Sequence, residues 1–366
     1  MCISPISLDL LMNMSNFKYK RADKSLMYNK CISPCLDFLV KFFPRWISPN
    51  LINFVSLCLV FIASIISYND GEFDFSLQLR PVTCIIIGTI QFIYLLLSNI
   101  DKKQAKRLGN YTPFDLLMDH GCDIFINILT AYNLSKLSIS GNTDFFSFSF
   151  FFGLILGFYM ITYEQYKLGE ILFPKINATD EGNLFVSLFG IACGIFSQDF
   201  LYYTLNEEYS ITIGKIIQLI VVFGGVSYVL NLYIHTYKKK GFKEMKTIIF
   251  DNVPIYSVII IPIYYIIYKL EFYMDYKWLI ICNSCILFAR ITIDIQIKIL
   301  TFDFIDCNYM IFFSNIVYIA SVTIPSILIK YYTLLILFIL QLIELCTFIY
   351  IRTKEITKFL ELGILC

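Results

Sequence analysis

The main pattern along the chain is a series of long apolar runs separated by short polar segments. About ten of these runs approach the roughly 20 residues that a helix needs to cross the ~30 Å hydrocarbon core of a bilayer. They cover residues 51–68, 81–98, 120–134, 146–163, 183–204, 211–236, 253–270, 277–297, 309–329 and 331–351. The third run is short and begins with charged residues, so its apolar signal is the weakest. The pattern predicts an all-α, polytopic membrane protein with about ten transmembrane helices.

An amphipathic stretch, residues 36–46, precedes the first apolar run. At helical spacing its apolar side chains share one face, formed by Leu36, Leu39, Val40 and Phe43. Its other residues include types that favour the lipid headgroup level, namely Lys41, Arg45 and Trp46. We therefore expect an N-terminal interfacial amphipathic helix on the membrane surface. An ordinary exposed amphipathic helix is the alternative.

Lysine and arginine are distributed unevenly between the two sides of the predicted membrane. With a cytosolic N-terminus and loops assigned alternately, the cytosolic side receives roughly four times as many Lys and Arg as the opposite side. An excess of basic residues is typical of cytosolic loops in membrane proteins. The distribution predicts that both termini lie in the cytosol.

Composition narrows the class of protein further. Hydrophobic residues make up 58% of the 366 residues, and charged residues make up 16%, against about 25% in a typical soluble domain. The 29 Lys and Arg balance the 28 Asp and Glu, which leaves a net charge of +1 and no basic field for nucleic acid. The 12 Cys are spread over a long chain, which argues against a small disulfide scaffold. We therefore expect a membrane protein that binds no nucleic acid.

Four carboxylates cluster where the second apolar run ends and the third begins. Asp115, Asp119 and Asp123 stack on one helical face at four-residue spacing, and Asp101 ends the preceding run. Such like charges repel unless a cation lies among them, and carboxylates suit hard cations such as Mg²⁺ and Mn²⁺. Nearby basic residues are Lys102, Lys103, Lys106 and Arg107. The combination favours phosphoryl-transfer chemistry, with a solvated charged loop as the alternative; we expect His120 to point off the carboxylate face.

The same segment resembles the signature of a known enzyme family. Residues 98–123, SNIDKKQAKRLGNYTPFDLLMDHGCD, resemble the pattern D-x2-D-G-x2-A-R-x8-G-x3-D-x3-D of the CDP-alcohol phosphotransferases. The matched positions are Asp101, Ala105, Asp119 and Asp123. Two further stretches resemble the eukaryotic choline/ethanolamine branch: PRWISPNLIN at 44–53 and TYEQYKLGEILFPKINATDEG at 162–182.

The resemblance implies a role for each matched position. Asp101, Asp119 and Asp123 would hold divalent cations, Mg²⁺ or Mn²⁺, and Asp123 would also deprotonate the acceptor hydroxyl. The residues implied to bind substrate are Ala105, Lys106, Asp115, Glu164 and Glu181. The last two occupy the positions of the family's Glu residues in the stretch 162–182.

Four signature positions depart from the family pattern. The first Asp is Ser98, the first Gly is Lys102, the Arg is Lys106 and the second Gly is Asp115. Ser98 is a neutral and poor metal ligand, whereas Lys102 brings a long cation where the family has no side chain. Lys106 keeps the positive charge but loses the bidentate fork of arginine. These departures leave open a catalytically impaired relative that acts as a non-enzymatic, lipid-binding or partner-binding membrane protein.

The resemblance also implies a reaction and an organisation. We expect transfer of phosphoethanolamine or phosphocholine from CDP-ethanolamine or CDP-choline to diacylglycerol, which yields phosphatidylethanolamine or phosphatidylcholine plus CMP. Residues 1–50 would form a cytosolic N-terminal segment, 51–204 the catalytic-type core and 205–366 the C-terminal transmembrane helices. The expected location is the endoplasmic reticulum or Golgi membrane, with a cytosolic active site, and a homodimer is one assembly to expect. A transporter fits the number of apolar runs but not the carboxylates at one edge.

Overall fold

The computed structural model describes residues 5–17, 21–23, 25, 28–75, 77–109, 111–138, 144–169, 171–173, 178–206, 211–303 and 309–362. Its α-helices are α1 Leu8–Ser15, α2 Ser33–Leu39, α3 Pro49–Asn69, α4 Pro81–Leu108, α5 Pro113–Leu137, α6 Asp144–Leu168, α7 Asn183–Phe196, α8 Ile213–Asp251, α9 Val253–Tyr268, α10 Leu270–Thr301, α11 Tyr309–Thr323 and α12 Ile327–Phe359. Two small strand pairs complete the fold. β1 (Arg21–Asp23) pairs in parallel with β2 (Ile171–Phe173), and β3 (Thr204–Asn206) pairs antiparallel with β4 (Ile211–Thr212).

Each predicted apolar run falls on one of the helices α3 to α12, so the all-α, polytopic membrane class is confirmed. Within the described residues, four helices are long and apolar enough to cross a membrane: α3, α4, α12 and residues Glu271–Thr301 of α10. A fifth span results if Gly241–Asp251 and α9, which meet at a 52° bend, are counted together. The number of about ten spans and the cytosolic orientation of the termini stay predictions.

Local sequence signals determine where the helices around the signature begin and end. Ser48 caps α3 by accepting a hydrogen bond from the Leu51 amide at 3.2 Å, and Pro49 follows as the first helical residue. α4 ends at Gly109, whose φ of 73° is the left-handed conformation that glycine adopts without strain. α5 begins with a capping box between Thr112 and Asp115. α5 runs back past α4, so that Lys102 of α4 lies beside Asp119 of α5.

Glycines allow α4 and α7 to pack closely. A Cβ atom added at Gly190 would lie 2.9 Å from the Cα of Gly88, and one added at Gly194 would lie 2.7 Å from the carbonyl oxygen of Pro81. Neither position has room for a side chain. Helices in a bilayer associate largely through such close contacts between small residues. The glycines therefore fix the distance between the helix that carries the signature and α7.

The C-terminal half packs around α10, whose candidate membrane span is 78% buried. Buried aromatic and β-branched side chains on α6, α9 and α12 surround it, including Tyr159, Tyr265 and Phe348. A buried ion network holds α10 to α12: Arg290 Nε donates to Glu344 Oε1 at 2.9 Å and Arg290 Nη1 to Asp294 Oδ1 at 3.3 Å. α10 thus forms the centre of this half of the protein.

The N-terminal amphipathic segment differs from the prediction in extent and in orientation. α2 ends at Leu39 and a single 3-10 turn, Val40–Phe42, follows, so no helix continues to residue 46. Leu36 and Val40 are buried against the protein, while the exposed side chains are Phe38, Phe42 and Trp46. The apolar face predicted to meet the membrane therefore packs partly on the helix bundle. The reason is a set of long-range contacts from α4, described below.

Candidate functional site

Two contacts join the halves of the signature across the α4–α5 turn. The Tyr94 hydroxyl on α4 donates a hydrogen bond of 2.9 Å to Asp123 Oδ1 on α5. Closer to the turn, the Lys102 ammonium lies 3.7 Å from Asp119 Oδ2. In two consecutive antiparallel helices, residues in contact lie further apart in sequence the further they are from the connection. The pairs Lys102–Asp119 and Tyr94–Asp123 follow this rule. The fold therefore places the aspartates of α5 directly against the signature residues of α4.

Asp119, His120 and Asp123 form a group with the spacing of metal ligands. One potential ligand atom from each lies within 4.8 Å of the other two. Asp119 is 3% exposed, and its Oδ2 accepts no hydrogen bond from any described residue. A buried carboxylate oxygen of this kind is costly unless a cation neutralises it, and the Lys102 ammonium 3.7 Å away is the cation that faces it in this structure. The donor set fits a divalent cation, and imidazole in the set suits Mn²⁺ better than Mg²⁺.

His120 therefore lies closer to the carboxylates than its sequence position indicated. The helical spacing predicts that a residue one position after Asp119 points off its face. In the structure His120 turns back towards the same space and lines the cavity described below. Its imidazole joins the candidate metal group, and the expectation that it points away is wrong.

Asp101 occupies a different position from the three grouped residues. Its carboxylate is 3% exposed, and Oδ1 accepts a hydrogen bond of 2.6 Å from the backbone amide of Lys102. The ligand group of Asp119, His120 and Asp123 does not include it. Asp101 is thus buried beside the group, and its proposed role as a metal ligand stays a prediction.

A cavity opens between α4, α5, α6 and α10. Its mouth is open to solvent, and the centre of a water molecule can occupy only about 60 Å³ of it. Signature positions Ser98, Lys102 and Asp123 line it. The other lining residues are Tyr94, Asn99, His120, Phe158, Ile161, Thr162, Gln165, Thr179, Asp180, Asn183 and Gln296. The cavity therefore combines carboxylates, one lysine ammonium and amides with a mainly apolar exposed surface.

Asp115 is used to start α5. Its Oδ2 accepts hydrogen bonds from the backbone amide and hydroxyl of Thr112 at 2.7 and 2.8 Å, and its Oδ1 accepts one from Asn50 at 2.8 Å. It does not line the cavity. The carboxylate that departs from the family pattern thus caps a helix and ties α5 to α3, away from the substrate space.

Two of the four basic side chains beside the signature hold the N-terminal segment. Lys103 Nζ contacts Asp37 Oδ1 at 2.6 Å and the Ser33 hydroxyl at 2.9 Å. Arg107 Nη1 donates to the carbonyl oxygens of Val40 and Phe43 at 2.8 and 2.7 Å. These contacts fold residues 33–43 onto α4. Of the four clustered cations, only Lys102 lines the cavity.

Two further residues implied to bind substrate lie on α4 outside the cavity lining. Ala105 is buried and Lys106 is exposed. Ala105 allows close packing on its helix face, whereas Lys106 faces away from the described cavity wall. Their contacts with substrate stay predictions, and neither residue lines the cavity.

In the downstream loop, the residue that lines the cavity is Asp180 and not the predicted Glu181 beside it. Glu181 accepts a hydrogen bond of 2.8 Å from the Ser25 hydroxyl, and neither it nor Glu164 lines the cavity. Asp180 does line it, is buried, and accepts a hydrogen bond of 3.1 Å from Asn99. A wide, π-helical turn, Ala178–Gly182, decides which of the two adjacent carboxylates faces inward.

Sequence reasoning missed the cavity residues on α6 and α10. Thr162 and Gln165 flank Glu164 in the matched stretch, so their neighbourhood was a usable signal. Gln296 on α10 had none, because it lies more than a hundred residues from the signature and comes to Thr162 only through helix packing, at 3.5 Å. The C-terminal half therefore completes the cavity wall.

No family model matches the chain. It is similar to an uncharacterized CDP-alcohol phosphatidyltransferase class-I family protein 2 of Dictyostelium discoideum, at 29% identity over 232 residues, which cover 62% of this chain and 54% of the other. Human ethanolaminephosphotransferase 1 is 27% identical over 177 residues, 46% of this chain and 45% of the other. Cholinephosphotransferase 1 of Saccharomyces cerevisiae is 26% identical over 199 residues, 54% of this chain and 50% of the other.

The chain spans about half the length of these relatives. Their names nevertheless agree with each other and with the signature in α4 and α5. The resemblance is therefore confirmed at modest identity: the chain is similar to proteins named for the CDP-alcohol phosphatidyltransferase class-I family and for ethanolamine and choline phosphotransfer.

Proposed function

We propose that the protein transfers a phosphoalcohol, phosphoethanolamine or phosphocholine, from its CDP ester to diacylglycerol at a cytosolic face of the endoplasmic reticulum or Golgi membrane. One observation carries the proposal. Ser98 and Lys102 of α4 and Asp123 of α5, three signature positions, line one cavity inside a helical membrane protein. A nucleotide arriving from the cytosol and a lipid arriving from the bilayer can meet only in such a space. The names of the relatives support the same reaction.

The acidic side of the cavity is suited to the diphosphate of the donor. Asp119 and Asp123, with Asp101 and His120 beside them, would hold Mg²⁺ or Mn²⁺, which when bound neutralises phosphate oxygens. Lys102 supplies a fixed positive charge in the same cavity. Both features lower the cost of bringing a negatively charged diphosphate next to carboxylates.

Asp123 would accept the proton of the acceptor hydroxyl in this proposal. The hydroxyl oxygen attacks the β-phosphorus, the bond between that phosphorus and the bridging oxygen of the CMP moiety breaks, and CMP leaves with the electron pair. The Tyr94 hydrogen bond fixes one oxygen of Asp123, Oδ1, and so orients the other. A base works only when held within hydrogen-bond reach of the proton it removes. His120 lines the same cavity, so the test must separate the two groups.

The test is an assay of the purified chain in lipid nanodiscs with labelled CDP-ethanolamine or CDP-choline, diacylglycerol, and Mg²⁺ or Mn²⁺. We expect labelled phospholipid and CMP in equal amounts, and loss of both products after removal of the metal by a chelator. Asp123→Asn should abolish the product without loss of folded protein, and His120→Asn should show whether the imidazole contributes. Asp9→Asn, which makes the same change at an exposed carboxylate outside the cavity, is the matched control. Full activity in Asp123→Asn would remove the assigned base.

A non-enzymatic role is the second candidate, and one contact favours it. The Lys102 ammonium lies 3.7 Å from Asp119 Oδ2, where a family metal would be held, and Ser98 offers no charge. In that case the cavity would bind lipid or a partner enzyme without turnover. A folded native protein that binds CDP-alcohol or diacylglycerol, but forms no product at any metal concentration, would establish this alternative.

A further inference from the structure

The wall of the cavity formed by α6 and the loop before α7 differs from the acidic wall on α5. It carries Thr162 and Gln165 from α6, Asp180 from the loop and Asn183 at the start of α7. Most of these polar groups are buried, and their contacts show which hydrogen-bonding capacity is left for a ligand. This wall has no part in the proton transfer proposed above.

Donor groups on this wall are already used within the protein. The Thr162 hydroxyl donates to the carbonyl oxygen of Phe158 at 3.2 Å. The amide nitrogen of Asn183 donates to the carbonyl oxygen of Thr179 at 2.6 Å. The amide nitrogen of Asn99 donates to the carbonyl oxygen of Leu95 at 3.0 Å and to Asp180 at 3.1 Å. Two acceptor oxygens are also engaged: Asn183 Oδ1 accepts a hydrogen bond of 2.7 Å from Gln91, and the Thr162 hydroxyl oxygen accepts one of 3.5 Å from Gln296. The polar character of this wall is therefore that of oxygen acceptors and one carboxylate, Asp180, rather than of donors.

Gln165 is the exception, because its carboxamide has no hydrogen bond to any described residue. It is 3% exposed, and its Oε1 is fully buried without a partner. Leaving a buried amide unsatisfied is costly, so a ligand group that pairs with Gln165 here would be stabilised. A carboxamide can turn its oxygen or its nitrogen towards the ligand. Beside Asp180 and the lone pairs of Thr162, the favourable choice is the oxygen, facing a cationic hydrogen-bond donor.

Aromatic surface for a quaternary ammonium is scarce in the same place. Only Tyr94 and Phe158 among the lining residues are aromatic, and the Tyr94 hydroxyl is bound to Asp123. The next tyrosines of α6, Tyr163 and Tyr166, carry the Lys167 ammonium 5.6 and 5.5 Å from their ring centroids. A trimethylammonium group has no N–H to donate and is held chiefly by aromatic faces, whereas a primary ammonium has three donors.

We propose that Gln165, with Asp180 and Thr162, forms a headgroup subsite that accepts hydrogen bonds from a primary ammonium, so that the protein selects CDP-ethanolamine over CDP-choline. This inference rests on the proposed function, since it names the donor substrate of that reaction. The oxygen acceptors replace the water that hydrates the ammonium. Choline offers them no donor and leaves the buried amide of Gln165 unsatisfied.

Binding and turnover measured together test the subsite. The native protein in nanodiscs should bind CDP-ethanolamine about tenfold more tightly than CDP-choline by isothermal titration, the size expected for one hydrogen bond to a charged group. The ratio of kcat/KM for the two donors should show the same preference. Gln165→Leu should bring both ratios to within about twofold of unity by weakening CDP-ethanolamine alone. Gln165→Glu, which keeps an acceptor oxygen, should retain the preference.

Gln341→Leu is the matched control. Gln341 is equally a buried carboxamide without a partner among the described residues, but it lines a separate small cavity beside Arg290 and Glu344. Its replacement should leave the ratio unchanged. Equal binding of the two donors by the native protein, or an unchanged ratio in Gln165→Leu, would overturn the subsite while the transferase reaction stands. Failure of the native protein to bind or turn over either donor would overturn the proposed function and the subsite together.

Discussion

The hydroxyl of Tyr94 on α4 donates a hydrogen bond of 2.9 Å to Asp123 Oδ1 on α5. Neither residue is near the other in sequence, and Tyr94 lies outside the family signature. The bond links the candidate base to the helix that carries Ser98 and Asp101. Because the bond occupies Oδ1, the other carboxylate oxygen of Asp123 is the one left to contact the substrate. The bond also fixes the orientation of that oxygen.

Tyr94→Phe should lower kcat by about tenfold to a hundredfold, because a hydrogen bond to a charged group contributes roughly 1.5–3 kcal/mol. The ring stays, so packing of α4 on α5 should be kept and the KM for the nucleotide should change little. Steady-state kinetics of the purified variant provide the measurement. Phe158→Leu, which alters another lining ring without touching Asp123, is the comparison. An unchanged kcat would show that Tyr94 does not position the base.

Ser98→Asp combined with Lys102→Gly should lower the metal concentration needed for half-maximal activity. The first change adds a carboxylate at the cavity, and the second removes the ammonium 3.7 Å from Asp119 Oδ2 that competes with a cation. We expect the native protein to be slow or to need high metal. Activity should be titrated against Mg²⁺ and Mn²⁺ in the native, single and double variants.

Three results of that titration have different meanings. Activity confined to the double variant would show a decayed enzyme, and inactivity of both folded proteins would favour the binding role. A native protein that is fast at low metal would contradict the expectation for Ser98. In that case His120 is the residue that completes the site, since the oxygens of Asp115 are engaged by Thr112 and Asn50.

Asp115→Ala should destabilise the protein without changing the cavity. The variant loses a capping box, which costs about 1–2 kcal/mol, and leaves the buried amide of Asn50 without this acceptor, which costs roughly 1–3 kcal/mol. Thermal denaturation in detergent measures the loss. Asp119→Asn, one turn further along the same helix, is the control. It should keep or raise the denaturation midpoint while abolishing activity, and the reverse pattern would exchange the two roles.

Gly194→Val should disrupt the packing of α7 on α4. A Cβ atom there would overlap with Ile85 Cγ1 and lie 2.7 Å from the Pro81 carbonyl oxygen, so the helices must separate. Overpacking of this kind costs about 1–3 kcal/mol. Gly157→Val on α6, where an added Cβ meets nothing within 4 Å, is the matched substitution. Monodispersity and denaturation midpoint should fall only in the first variant, and equal behaviour would show that the α4–α7 contact is not limiting.

The sequence by itself determined the positions of the helices and one face of the candidate site, through its hydropathy, its helix caps and the family signature. The apolar runs placed α3 to α12, because a helix in lipid must satisfy its own backbone and cover itself with apolar side chains. Thr112 and Asp115 start α5 through contacts within one turn. The spacing of Asp119 and Asp123 put both on one helical face. All of these features depend on residues a few positions apart, so a linear sequence contains them in full.

Only the tertiary structure decided which polar residues face the cavity. Arg107 reads as a phosphate-binding cation beside the signature, yet it holds the carbonyl oxygens of Val40 and Phe43. Asp180 lines the cavity while its neighbour Glu181 contacts Ser25, and Gln296 reaches Thr162 from a distant helix. The physical reason is that the direction of a polar side chain is determined by the partners it finds. Those partners come from segments that meet only when the helices pack.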